Sequence, residues 1–275
     1  MTEAIIYKKT IENETVDILY GFKNQENYKN HFDCSFKTDG LKDILSEEDF
    51  ALLEKQDSLY EKNLQLKEIL QNYFSSENGG VNEQNQKLAE WIIKEWGGIY
   101  SVKDFDKINN DIKNFYDKNQ SGKEKLDDIK LSDSISLRSK VLSFLAPNEY
   151  VICDSQNVFA LNWLLFFAQL DSDKIHLFTP LLSKNKIIIK YNFETIAYVF
   201  FEKEIAYTFT TYSDFCYLIK DLTKKLGFKK IYETEMLLFS ISVDEERGIP
   251  AFVKEKIKEC LLNDYKALRD KQEKK

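Results

Sequence analysis

A chain of 275 residues with only nine glycines and three prolines is short of the residues that close tight turns. Glycine supplies left-handed backbone and proline pre-sets the first corner of a turn. All-β sandwiches and barrels, which reverse direction at short intervals, are therefore poorly served by this composition. The scarcity predicts a mainly α fold. Hydrophobic residues at 43% and charged residues at 31% suit a globular chain long enough to bury a core.

Apolar spacing carries that expectation to particular segments. Residues 1–33 read ambiguously. From Leu41 to Phe74, the residues Leu52, Leu53, Leu59, Leu64, Leu66, Ile69 and Leu70 recur at three- and four-residue steps, the period of a helix face. Ser46-Glu47-Glu48-Asp49 reads as a helix start, with acids where the helix dipole favours them. The loop Ser75 to Gly80 then predicts a boundary between an N-terminal helical region, 1–80, and a second domain, 81–275. Val81 to Trp96 reads as a helix stopped by Gly97-Gly98. Residues 103–119 read as a polar amphipathic helix carrying Phe105, Ile108, Ile112 and Phe115, followed by a loop at Asn119 to Gly122.

Leu137 to Leu145 reads as a short helix ended by Pro147, and Asp154 or Ser155 as the cap of an apolar helix running through Leu170. The runs Ile187-Ile188-Ile189, Tyr198-Val199-Phe200-Phe201 and Ala206-Tyr207-Thr208-Phe209 are β-branched and aromatic, and predict a small β insertion between 186 and 211. Helices are expected again over Ser213–Leu226, stopped at Gly227, then over Glu233–Ser240 and Ala251–Lys271.

Charge and composition exclude several functions. A net charge of −7 argues against non-specific nucleic-acid binding by the whole surface, so a DNA partner needs a local basic patch. Lys123, Lys125, Lys130 and Arg138 form such a group, interleaved with Glu124, Asp127 and Asp128. Arginine occurs only at 138, 247 and 269. Cys34, Cys153, Cys216 and Cys260 are scattered without a CxxC pair, which suits reduced thiols and gives no zinc site or disulfide framework. With His31 and His176 as the only histidines, neither a histidine-rich metal site nor a Ser-His-Asp triad is expected. The longest apolar run, Val158 to Leu170, is interrupted by Asn162 and too short to span a bilayer, and the N-terminal sequence has no signal-peptide pattern. A cytoplasmic protein with no membrane partner is expected.

Chemistry concentrates in SLRSKVLSFLAPNEYVICDSQNVFALN, residues 136–162. On a helical wheel Leu137, Val141, Phe144 and Leu145 share a face, with Lys140 on its flank. A lysine so placed is partly desolvated, which favours the free amine and makes it a candidate nucleophile. Asp154 follows fourteen residues later, where a helix N-terminus favours its carboxylate.

Ser139-Lys140, Leu142, Phe144-Leu145, Pro147, Tyr150, Ile152 and Asp154-Ser155 together resemble the core of the helix-hairpin-helix DNA glycosylase superfamily. The likeness is closest to its 8-oxoguanine-glycosylase-like bacterial branch. Trp96-Gly97-Gly98-Ile99 and Glu235-Met236-Leu238-Phe239 are weaker echoes, and the likeness covers roughly 90–245. The resemblance implies a helix-hairpin-helix glycosylase-like helical fold, in which Lys140 attacks the sugar C1′, expels an oxidised purine and forms a Schiff base. Asp154 would steer the amine and stabilise the cationic sugar. Phe144 and Cys153 would line the base pocket, and Arg138, Ser139, Ser155 and Gln156 would meet DNA. The chemistry needs no metal and no other cofactor.

Two positions depart from the family pattern. Asp133-Ser134-Ile135-Ser136 stands where the family has a glycine-containing hairpin, and Gln156 where the branch often has arginine. Two other readings therefore stand beside the enzyme. One is a non-catalytic protein of the same fold serving as an interaction component with a protein partner, as in a bacterial defence system. The other is a DNA-binding module without base excision.

Overall fold

The computed structural model describes residues 3–24, 28–32, 38–75, 83–100 and 135–273, with Phe36, Val102, Phe105, Asn110 and Leu131 between them. The expected boundary near residue 80 and the loop at 119–122 lie outside the described residues. So does nearly all of the expected helix 103–119. What is described is mainly helical, with one small parallel pair of strands. The chain divides into two compact units, each assembled from separated stretches: Met1–Glu26, Ser155–Thr210 and Leu238–Lys275 form the first, and Asn27–Asp154 with Thr211–Leu237 the second.

In the first unit, helix α1 (Glu3–Asn24) packs against the apolar helix here labelled α6 (Ser155–Ala168). Every residue of α6 from Asn157 to Ala168 is buried, as expected of a helix that is apolar all round. Strand β1 (Lys174–Phe178) pairs in parallel with β2 (Glu204–Phe209), in register from Lys174 opposite Glu204 to Leu177 opposite Tyr207, with a shift before Phe178 meets Phe209. The two polar residues in the longest apolar run explain themselves here. Asn162 accepts from the Phe178 amide at 2.9 Å and donates to its carbonyl at 3.0 Å. Gln169 does the same for His176, at 2.9 and 3.0 Å. Both give buried strand backbone the partners it would otherwise lack.

The strand expectation for 186–211 needs correcting at two of its three runs. Ile187-Ile188-Ile189 lies in α7 (Lys186–Lys190), and Tyr198 to Phe201 closes α8 (Phe193–Phe201). Only Ala206 to Phe209 is extended. The physical reasons are local caps and burial period. Asn185 accepts from the Ile187 amide and Asn192 from the Thr195 amide, each satisfying a first-turn donor. Phe193, Ile196 and Ala197 are buried at helical spacing.

The second unit holds α2 (Glu47–Glu54), α3 (Leu59–Ser75), α4 (Glu83–Trp91), α5 (Ile135–Leu145), α9 (Tyr212–Leu226) and the first half of α10 (Ile231–Ser242). Ser46 caps α2 as its sequence suggests, its hydroxyl accepting from the Asp49 amide at 3.1 Å. Helix α3 packs on α5 and buries Asn63, Leu66, Lys67, Leu70 and Phe74 along one face. Helix α4 runs on into a π turn, Ile92–Trp96, in which the Gly97 amide donates to the Ile92 carbonyl five residues back at 2.8 Å. Gly98 then takes a left-handed φ of 64°, a conformation glycine adopts without strain. Gly227 ends α9 in the same way, with φ 68°. The last helix, α11 (Ile249–Glu273), belongs to the first unit and packs on α8 and α6.

Candidate active site

Lys140 and Asp154 meet in the second unit. Helix α5 presents Lys140, and the segment 151–154, which precedes α6, carries Asp154. One hydroxyl joins the two elements: the Cys153 amide donates to Ser139 Oγ at 2.9 Å. Since Ser139 and Lys140 are neighbours, as are Cys153 and Asp154, that bond sets the register. Lys140 Nζ then lies 3.2 Å from Asp154 Oδ2, with side-chain exposures of 8% and 12%. The pair is shielded from water but not sealed from it.

One aromatic ring faces the ammonium. Lys140 Nζ stands 5.6 Å from the centre of the Trp96 ring, within cation–π range. Trp96 is pinned by its indole N–H, which donates to Asn63 Oδ1 at 2.8 Å, and its ring meets Phe144 edge-on at 5.1 Å. The lysine stem also runs close to the backbone. A β-carbon on Gly97 would stand 3.1 Å from Lys140 Cδ and 2.8 Å from the Ile93 carbonyl. Glycine at 97 therefore makes room for Lys140.

A second lysine–carboxylate pair lies in the same core. Lys67 Nζ is 3.2 Å from Glu235 Oε2, with side-chain exposures of only 1% and 4%. Lys67 also donates to Ser143 Oγ at 3.3 Å and sits 4.9 Å from the Phe144 ring centre. Ser143 in turn donates to the Lys140 carbonyl at 2.8 Å, while Glu235 accepts from the Ile152 amide at 3.2 Å. Burial pushes the Glu235 carboxyl above its ordinary value, outweighing the opposing pull of Lys67. The two pairs thus share Ser143, Phe144 and the segment 152–154.

The expected site residues divide clearly. Lys140, Asp154, Ser139, Phe144 and Cys153 are brought together. Ser139, Phe144 and Cys153 are fully buried, and burial raises the Cys153 thiol well above its usual range. Arg138 is half-buried on α5, whereas Lys123, Lys125 and Lys130 lie outside the described residues. Ser155 and Gln156 belong to the first unit, where the Ser155 hydroxyl bonds to Ser183 at 3.2 Å and Gln156 accepts from Ser242 at 3.2 Å. Of Asp133-Ser134-Ile135-Ser136, the last two residues already belong to α5, and the first two lie outside the described residues.

Sequence reasoning missed Lys67 and Asn63 and gave Glu235 no role. The available signal was periodic: Asn63 and Lys67 occupy the apolar stripe of α3 beside Leu66, Leu70 and Phe74. Among the described residues, no group of three or more His, Cys, Asp or Glu could hold a metal ion, and no helix is long and apolar enough to cross a membrane. Comparison with protein-family models, curated proteins and solved structures finds no match to this chain.

Proposed function

We propose that the second unit is the catalytic core of a DNA glycosylase and lyase that removes an oxidised purine, 8-oxoguanine in the first instance, with Lys140 as nucleophile. The finer fold assignment, a helix-hairpin-helix glycosylase core, belongs to this reading, as does an intracellular setting. The observation that carries it is the contact of Lys140 with Asp154 at 3.2 Å, walled by Trp96 and held in register by Ser139. An amine in such a place is oriented by the carboxylate and largely shielded from water.

The chemistry follows from those neighbours. Lys140 gives up a proton toward Asp154 and its nitrogen attacks C1′ of the damaged nucleotide. The C1′–base bond breaks and the purine leaves, taking up the proton that Asp154 had received, so that Asp154 is again a carboxylate. While the sugar carries positive charge, the Asp154 carboxylate stabilises it. Loss of the sugar ring oxygen's bond to C1′ then gives a Schiff base to Lys140, from which β-elimination cuts the strand. Contact with DNA is local, on the side of Arg138, in keeping with the net charge of −7.

One observation favours a second reading, an interaction component without chemistry. Lys67 and Glu235 form a pair of the same type that is almost wholly buried, so this core uses lysine–carboxylate pairs as internal ties. In that reading Lys140–Asp154 is a tie as well. Borohydride trapping on duplex DNA containing 8-oxoguanine or an abasic site separates the two. The enzyme reading expects a covalent adduct from the native chain, lost in Lys140→Ala and retained in a folded variant altered only at Arg247. No adduct from the native chain on either DNA sinks it, and an adduct that survives Lys140→Ala moves the nucleophile elsewhere.

A further inference from the structure

Helix α11 begins inside the first unit and ends outside its core. Ile249 and Val253 are buried and Ile257 and Cys260 are partly covered, but every side chain from Leu261 to Gln272 is exposed. An isolated helix of about a dozen residues is marginal in water, so three turns whose side chains are all exposed gain from a stabilising partner. These turns are not uniformly polar. Leu261, Tyr265 and Leu268 recur at the four- and three-residue steps of a helix–helix seam and are 52%, 65% and 60% exposed. Leu261 also lines a cleft with Leu170, Val199 and Phe201, whose other walls carry Glu202, Lys203 and Asp264, and Val199 is itself 58% exposed.

The charges flanking the stripe say what covers it. Asp264 and Lys271 lie along the same edge of the seam, one turn to either side of Leu268. In an antiparallel pairing of two copies of this helix, Tyr265 packs on Leu268 of the second copy, and Leu261 faces Gln272. Asp264 then stands opposite Lys271 of the second copy, and by symmetry this ion pair forms twice. A parallel pairing would instead set Lys258, one heptad before Tyr265, against its own copy. We propose that the Leu261–Gln272 segment is a self-association surface and that its occupant is the same segment of a second copy, running antiparallel. This inference rests on α11 alone and stands or falls independently of the chemistry at Lys140.

The test is the oligomeric state of the full chain by sedimentation and light scattering across a wide concentration range. The native chain should show a concentration-dependent dimer. Leu268→Glu, which alters only an exposed side chain, should raise the dissociation constant at least about tenfold while leaving the thermal transition of the monomer in place. Asp264→Lys should weaken the dimer, and adding Lys271→Glu should bring it back to within about twofold of the native value. A native chain that stays monomeric up to high micromolar concentration overturns the proposal. So does a dimer indifferent to Leu268→Glu, or a monomer whose melting falls on Leu268→Glu because its own chain covers the stripe. If the Asp264→Lys defect is relieved by Arg269→Glu and not by Lys271→Glu, the antiparallel pairing is overturned.

Discussion

Lys140 is constrained at three levels of its own side chain. Asp154 holds the nitrogen, Trp96 faces the charge, and Gly97 leaves space for the stem. The last of these is the most easily tested. Gly97→Ala forces a methyl against the Ile93 carbonyl and Lys140 Cδ, and should destabilise the chain by about 1–3 kcal/mol in chemical denaturation. A loss well under that range would mean that the close approach is relieved by easy movement of the lysine. The thiols give a second residue-scale prediction. Burial raises Cys153 well above the usual thiol range and pushes Cys216 up to about 12, so both should resist alkylation in the native state near neutral pH. Mass spectrometry after brief iodoacetamide treatment should find both unmodified, and rapid labelling of Cys153 would contradict the closed wall beside Asp154. At this scale the sequence was informative where partners are near in the chain. Lys140 and Asp154 are separated by fourteen residues and sit in one apolar frame, whereas Lys67 and Glu235 are 168 apart and each is hidden in an ordinary amphipathic pattern.

Between elements, the Lys67–Glu235 pair ties α3 to α10, and its cost structure can be separated by a double-mutant cycle. Glu235→Gln leaves a buried ammonium without its counter-charge and should cost roughly 3–5 kcal/mol, as should Lys67→Met for the stranded carboxylate. The combined variant should recover most of that loss. Purely additive losses would show that the two groups act independently. The same pair gives a pH dependence with a definite sign. Glu235 holds its proton more tightly in the folded chain than the ordinary carboxyl at 4.5 does, so the folded state binds more protons above that value. Its contribution to stability is full below that ordinary value and is lost as pH rises through the raised folded one. Stability measured across that window should fall more steeply in the native chain than in the double variant. Helices were legible wherever a long amphipathic period met a clear stop, as with α9 before Gly227. Short apolar runs were not. Ile187 to Ile189 and Tyr198 to Phe201 have strand-like composition, but the Asn185 cap in the first case, and the Asn192 cap with burial of one helical face in the second, go with helix. Strand β1 was missed because its polar partners lie outside it, Asn162 in α6 and Gln169 in the turn that follows.

For the molecule as a whole, the two units alternate along the chain, so neither is a contiguous piece of sequence. A fragment of residues 27–154 lacks α9 and Glu235, leaving Lys67 without its carboxylate. That fragment should show no cooperative thermal transition, and joining 211–237 to it through a flexible linker should restore one. A sharp transition in the shorter fragment would show that the second unit closes without its late segment. The alternation also bears on how the protein is made. Glu235 leaves the ribosome 168 residues after Lys67, a delay of roughly ten seconds or more at ordinary elongation rates. Throughout that interval α3 carries a lysine on its apolar face with no counter-charge yet synthesised. The nascent chain must therefore wait in a partly open state that a holdase chaperone could bind, and both cores can close only late in translation.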